Sequence, residues 1–151
     1  MGYDLYREGD YVGEHTYYRW NIWGFPPVKY LAELYGWKPM GTVIKAWTDD
    51  DGKEHLESAC SYDTNDGQVV NEQDAANWAT ALSLAIEDIK KRPSVKEDSK
   101  SNKIDDAYME KRRLIHQGHA QTLLDEFNTE SELTYLENFV VFLNEGEFQI
   151  Y

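Results

Sequence analysis

The chain holds one cysteine, Cys60, so no internal disulfide can staple it. Such sparing use fits a compartment that keeps thiols reduced, and a cytoplasmic location is expected. No run of apolar residues approaches the roughly 20 that cross a bilayer. A secretory leader is not expected either, because residues 1–8 carry charges where a leader has its apolar stretch. Acylation at Gly2 would call for Ser or Thr at position 6, and Tyr6 stands there. Lysine and arginine are scarce, and residues 114–151 contain neither.

Signatures of catalysis are also missing. There is no His-Glu-x-x-His, no Gly-rich phosphate loop and no Gly-x-Ser-x-Gly. Two acidic turns, Asp49-Asp50-Asp51-Gly52 and Asp63-Thr64-Asn65-Asp66-Gly67, invite a calcium reading. An EF-hand loop would then begin at Trp47 or Tyr62 instead of an aspartate, so both registers fail. His116 and His119 are three residues apart, but no further ligand pattern accompanies them. Cys60 with His55 makes no recognisable nucleophile pair. No catalytic residue, metal ligand or cofactor is therefore assigned.

What remains is acidic and aromatic. The 151 residues suit one domain, 1–151, able to bury a core without metal or disulfide. Apolar residues make up 41% and aromatic residues 14%, which excludes a wholly disordered chain. The net charge of −13 disfavours direct contact with nucleic acid or an anionic membrane and favours a basic protein partner. Basic residues cluster only at Lys90-Lys91-Arg92 and Lys111-Arg112-Arg113, interleaved with acids. They read as a solvated loop and helix ends.

Local patterning points to an α+β fold. About four helices should pack with short N-terminal antiparallel strands and a short C-terminal strand. Tyr3–Tyr6 and Thr16–Trp20 read as a hairpin by aromatic content, and Thr42–Trp47 with Leu56–Tyr62 as a second. A helix is expected over Pro27–Tyr35, stopped by Gly36. The clearest helix spans 72–91. Asn71 caps it, Glu72 and Asp74 lie in its first turn, and Ala75, Trp78, Leu82, Ile86 and Ile89 form its stripe. Residues 93–103 read as a mobile internal loop. A third helix is expected over 105–127, weakened at Gly118, and a fourth after the capping box Thr129-x-x-Glu132. Residues 148–151 close the chain as a strand.

Large rings crowd the N-terminal segment, and Trp20 and Trp23 are the candidate docking anchors among them. Asn65, Asp66, Gly67 and Gln68 form the second candidate binding element, a tight turn feeding the long helix. Three segments, Tyr18-Arg19-Trp20-Asn21-Ile22-Trp23-Gly24, Gly36-Trp37-Lys38-Pro39-Met40-Gly41-Thr42 and Asn65-Asp66-Gly67-Gln68-Val69-Val70, resemble a group of small bacterial proteins. Those proteins share an aromatic N-terminal segment, a Gly-Trp-x-Pro-x-Gly-Thr turn and an Asn-Asp-Gly-Gln turn before a long helix. The resemblance implies no activity, since none is attached to the group.

The functional expectation is a non-enzymatic binding protein. It would be an inhibitor of the immunity type, or a nucleic-acid mimic, covering a basic surface of a larger protein. One alternative is a small enzyme with a cleft near His116 and His119 or the Asn65–Gln68 turn. Another is a self-associating module using the fourth helix or the strand 148–151.

Overall fold

The structure is a computed structural model and describes residues 2–7, 16–59, 61–93 and 104–151. Strands β1 (Gly2–Tyr6) and β2 (Tyr17–Asn21) form the expected antiparallel hairpin. Helix α1 (Phe25–Leu34) follows, with prolines in its first turn, where a missing N–H costs nothing. Strands β3 (Thr42–Thr48) and β4 (Glu54–Ala59) pair as a separate two-stranded sheet. Then come β5 (Gln68–Val70), α2 (Glu72–Lys90), α3 (Asp106–His116), α4 (Ala120–Glu126), α5 (Glu130–Asn144) and β6 (Phe148–Ile150). The α+β class is thus observed, with five helices among the described residues where about four were expected. The loop expected over 93–103 lies, apart from Pro93, outside the described residues.

Gly118 accounts for the extra helix. Its φ of +69° is left-handed, so the chain leaves α3 there and re-enters as α4. His119 then caps α4, its Nδ1 accepting from the Thr122 amide at 3.3 Å. Among the described residues a Cβ added at Gly118 would meet no atom within 4 Å, so backbone strain is what opposes one. Gly118→Ala is therefore expected to lower the unfolding free energy by about 1 kcal/mol in urea titration. A rise in stability instead would mean that one continuous helix forms in solution.

The main sheet has strand order β2-β1-β6-β5, antiparallel throughout. The closing strand is therefore internal. Leu5 and Tyr6 of β1 pair with one edge of β6, and Gln68 to Val70 pair with the other. Self-association through an edge of β6 is disfavoured, because both of its edges pair within the chain. The sequence marks β5 only as a turn leading into α2, because three residues are too few to show a period.

One face of the sheet meets the helices. Leu5, Trp20, Val70, Phe148 and Ile150 are buried there, in one cluster with the apolar stripes of α2 and α5. Trp78 of α2 is the hub, stacked on Trp37 at 4.4 Å and lying 5.2 Å from Phe139 of α5 and 6.5 Å from Phe148. No described helix is long and apolar enough to cross a membrane.

Candidate binding surface

Side chains alternate across a strand, so the neighbours of the buried Leu5 and Ile150 point away from the core. Those neighbours are Tyr6 and Tyr151, and Tyr17 pairs directly with Tyr6 across β1 and β2. The three rings form a row, with Tyr6 4.9 Å from Tyr17 and 6.1 Å from Tyr151. They are 45%, 42% and 45% exposed. Period-2 counting from Leu5 and Ile150 would have found them; the aromatic content alone directed attention to the tryptophans.

Hydrogen bonds hold two of the rings in place. The Tyr17 hydroxyl donates to Asp4 Oδ1 at 2.6 Å, and this bond to a carboxylate is what raises the phenol's pKa most. Arg19 Nε lies 3.8 Å from the same oxygen, so its charge is already answered. The Tyr151 hydroxyl donates to Gln149 Oε1 at 2.8 Å.

The predicted Asn65–Gln68 turn borders this row. Gly67 has φ +92°, and its amide donates to the Ile150 carbonyl at 2.7 Å. A Cβ at Gly67 would sit 3.4 Å from the Tyr151 ring, so glycine serves both the backbone conformation and the ring. Asn65 and Asp66 are exposed. Asp66 accepts from the Thr64 hydroxyl at 2.8 Å. Gln68 belongs to the other side: it is 5% exposed and its amide nitrogen bonds Thr64. It therefore offers little to a partner.

The two candidate tryptophans part company. Trp20 faces Tyr3 in register on the inner side of the hairpin and is only 3% exposed. It packs edge-on against Tyr135 at 4.8 Å and against Phe139 at 5.3 Å. Its ring is a core element, which corrects its reading as a docking anchor. Trp23 stands in the turn before α1, 57% exposed, with the Arg112 guanidinium 6.0 Å from its ring. It is separate in the chain from the tyrosine row, on the side of α3.

The histidines are not brought together as a site. His119 spends its ring on capping α4, and His116 lies edge-on to Tyr30 at 6.4 Å. His55 bonds Asp49 at 2.7 Å and stacks on Trp47 at 4.3 Å, while Cys60 lies outside the described residues. Asp49 also accepts from the amides of Asp51 and Lys53, so the acidic segment is a turn. Among the described residues no group of three or more His, Cys, Asp or Glu side chains could hold a metal. Comparison with family models, with curated proteins and with solved structures finds no match.

Proposed function

We propose that this protein is a binding protein without catalytic chemistry, and that it docks its acidic body onto a basic surface of a larger protein. An inhibitor of the immunity or nucleic-acid-mimicking type fits that description. The observation that carries the reading is the row Tyr6, Tyr17 and Tyr151, exposed on the outer face of the sheet of a chain with net charge −13. Tyrosine supplies broad contact area at small entropic cost, and hydroxyls for polar partners. The surplus negative charge speeds encounter with a positive patch and discriminates against acidic partners. Asp66 is exposed in the turn beside the row, and with the acidic body as a whole it gives the surface the matching sign.

The test is capture from host lysate by the tagged protein and by its Tyr6→Ala, Tyr17→Ala, Tyr151→Ala triple variant, at about 50 mM and about 500 mM salt. The expected result is one basic protein held at low salt, released at high salt and lost from the triple variant. Loss of three central aromatic contacts should weaken binding by about a hundredfold or more. No specific partner at low salt, or undiminished capture by the variant, overturns the reading.

A further inference from the structure

The described residues line three cavities of note, and one differs from the others in how its polar groups are used. The first, about 290 Å³ beside Trp20, is lined by Asn21 and Tyr135, which are committed to the backbone. Asn21 Oδ1 accepts from the Trp23 and Gly24 amides, and the Tyr135 hydroxyl donates to the Arg19 carbonyl. The second, about 220 Å³ along α2, has Thr80 and Ser83 bonded back to their own helix. The third, about 280 Å³, lies between α1 and the C-terminal end of α3. It is lined by Tyr30, Glu33, Leu34, His116, Gln117 and Gly118. The phenol of Tyr30, the carboxylate of Glu33, the imidazole of His116 and the amide of Gln117 make no hydrogen bond or ion pair with other described side chains or backbone. Four polar groups thus meet at one open groove, where Glu33, His116 and Gln117 are exposed to solvent.

The charge of this cavity has one sign. Lys29 is the neighbouring cation, 3% exposed, and it is spent on Asp63 and on the Ser61 and Tyr62 carbonyls. Glu33 makes no ion pair among the described residues and is compensated only in part, by Lys29. Burial raises its pKa, Lys29 offsets this in part, and the Asp63 carboxylate raises it further. The negative end of the α3 dipole also arrives here, where Gln117 caps the helix. Tyr30 and Leu34 supply the apolar wall.

We infer that this cavity binds a small organic cation, with Glu33 as counter-charge and the Tyr30 ring as the face it packs against. A planar guanidinium head suits it, since such a group donates two hydrogen bonds to a carboxylate and stacks on an aromatic ring. The volume limits the ligand to a short alkyl chain behind that head. This site shares no residue with the tyrosine row, so it stands or falls independently of the docking proposal.

The probe is n-butylguanidinium, compared with its neutral isostere n-butylurea, in NMR titration of the full chain. Saturable shifts are expected at the His116 ring protons and at the Glu33, Gln117 and Gly118 amides, with a Kd of about 1 mM for so small a ligand. The urea should bind at least tenfold more weakly. Glu33→Gln should weaken butylguanidinium by tenfold or more while leaving the rest of the spectrum unchanged. Glu87→Gln, at the cavity along α2, should not alter binding. No saturation, equal affinity for the urea, or an unaltered Kd in Glu33→Gln overturns the inference.

Discussion

Asp74→Ala is expected to lower the unfolding free energy by about 3–5 kcal/mol, enough to remove much of a small domain's stability. Asp74 is fully buried in the first turn of α2. Its Oδ1 accepts from the Trp37 indole at 2.9 Å, and its Oδ2 from the Met40 amide at 3.0 Å and the Tyr62 hydroxyl at 2.5 Å. Alanine would strand three buried or half-buried donors, each worth about 1–3 kcal/mol when left unmade. One of them secures a chain conformation that local preference opposes. Tyr62 has φ +51°, which is costly for a bulky side chain, and its hydroxyl also accepts from the Gly41 amide at 3.1 Å. Losing Asp74 therefore frees the segment 37–41 and the strained Tyr62 together. Asp74→Asn keeps one acceptor and turns an NH2 toward remaining donors, so it should lose less, about 2 kcal/mol. In a double-mutant cycle, Tyr62→Phe and Asp74→Ala should be less damaging together than their sum, because they remove the same bond. Urea titration reads all of these. A loss below about 1 kcal/mol for Asp74→Ala would show that water replaces the carboxylate at little cost.

Asp74 also marks where sequence reasoning stops. An acid in the first turn of a helix is explained locally by the dipole, so nothing along the chain hints at Trp37, Met40 and Tyr62. Signals confined to a few consecutive residues were legible. Asn71 and Thr129 cap α2 and α5 as their types foretell, each accepting from the amide three residues on. The aromatic hairpin and the closing strand were legible for the same reason. Long-range order was not. The place of β6 between β1 and β5 depends on pairings between the two ends of the chain. Trp20 and Trp23 are alike in type and three residues apart, yet strand register turns one inward and a turn leaves the other exposed. Within the candidate surface, the Asn65–Gly67 turn was found by composition, while the tyrosines beside it needed the inner face to be known first.

The hub of that inner face carries the second large effect. Trp78→Ala is expected to cost about 3–5 kcal/mol, the range for emptying a buried aromatic site. Trp78 is fully buried and meets three other elements and the segment after α1. It stacks on Trp37 with the planes 13° apart, and it meets Phe25 of α1, Phe139 of α5 and Phe148 of β6. Deleting the indole removes the surface on which helices and sheet share contacts, so near-UV dichroism should fade along with the urea midpoint. Trp78→Phe should behave differently. Among the described residues the buried indole Nε1 finds no hydrogen-bond partner, so its polar hydrogen was desolvated with no bond in return. Phenylalanine gives up part of the volume but also removes that orphan donor. Its cost should fall to about 1–2 kcal/mol, well below the cavity term alone. If Trp78→Phe proved as damaging as Trp78→Ala, the nitrogen would have to be bonded in solution, to a trapped water or a shifted carbonyl. The core would then be held at that point by polarity as well as by packing.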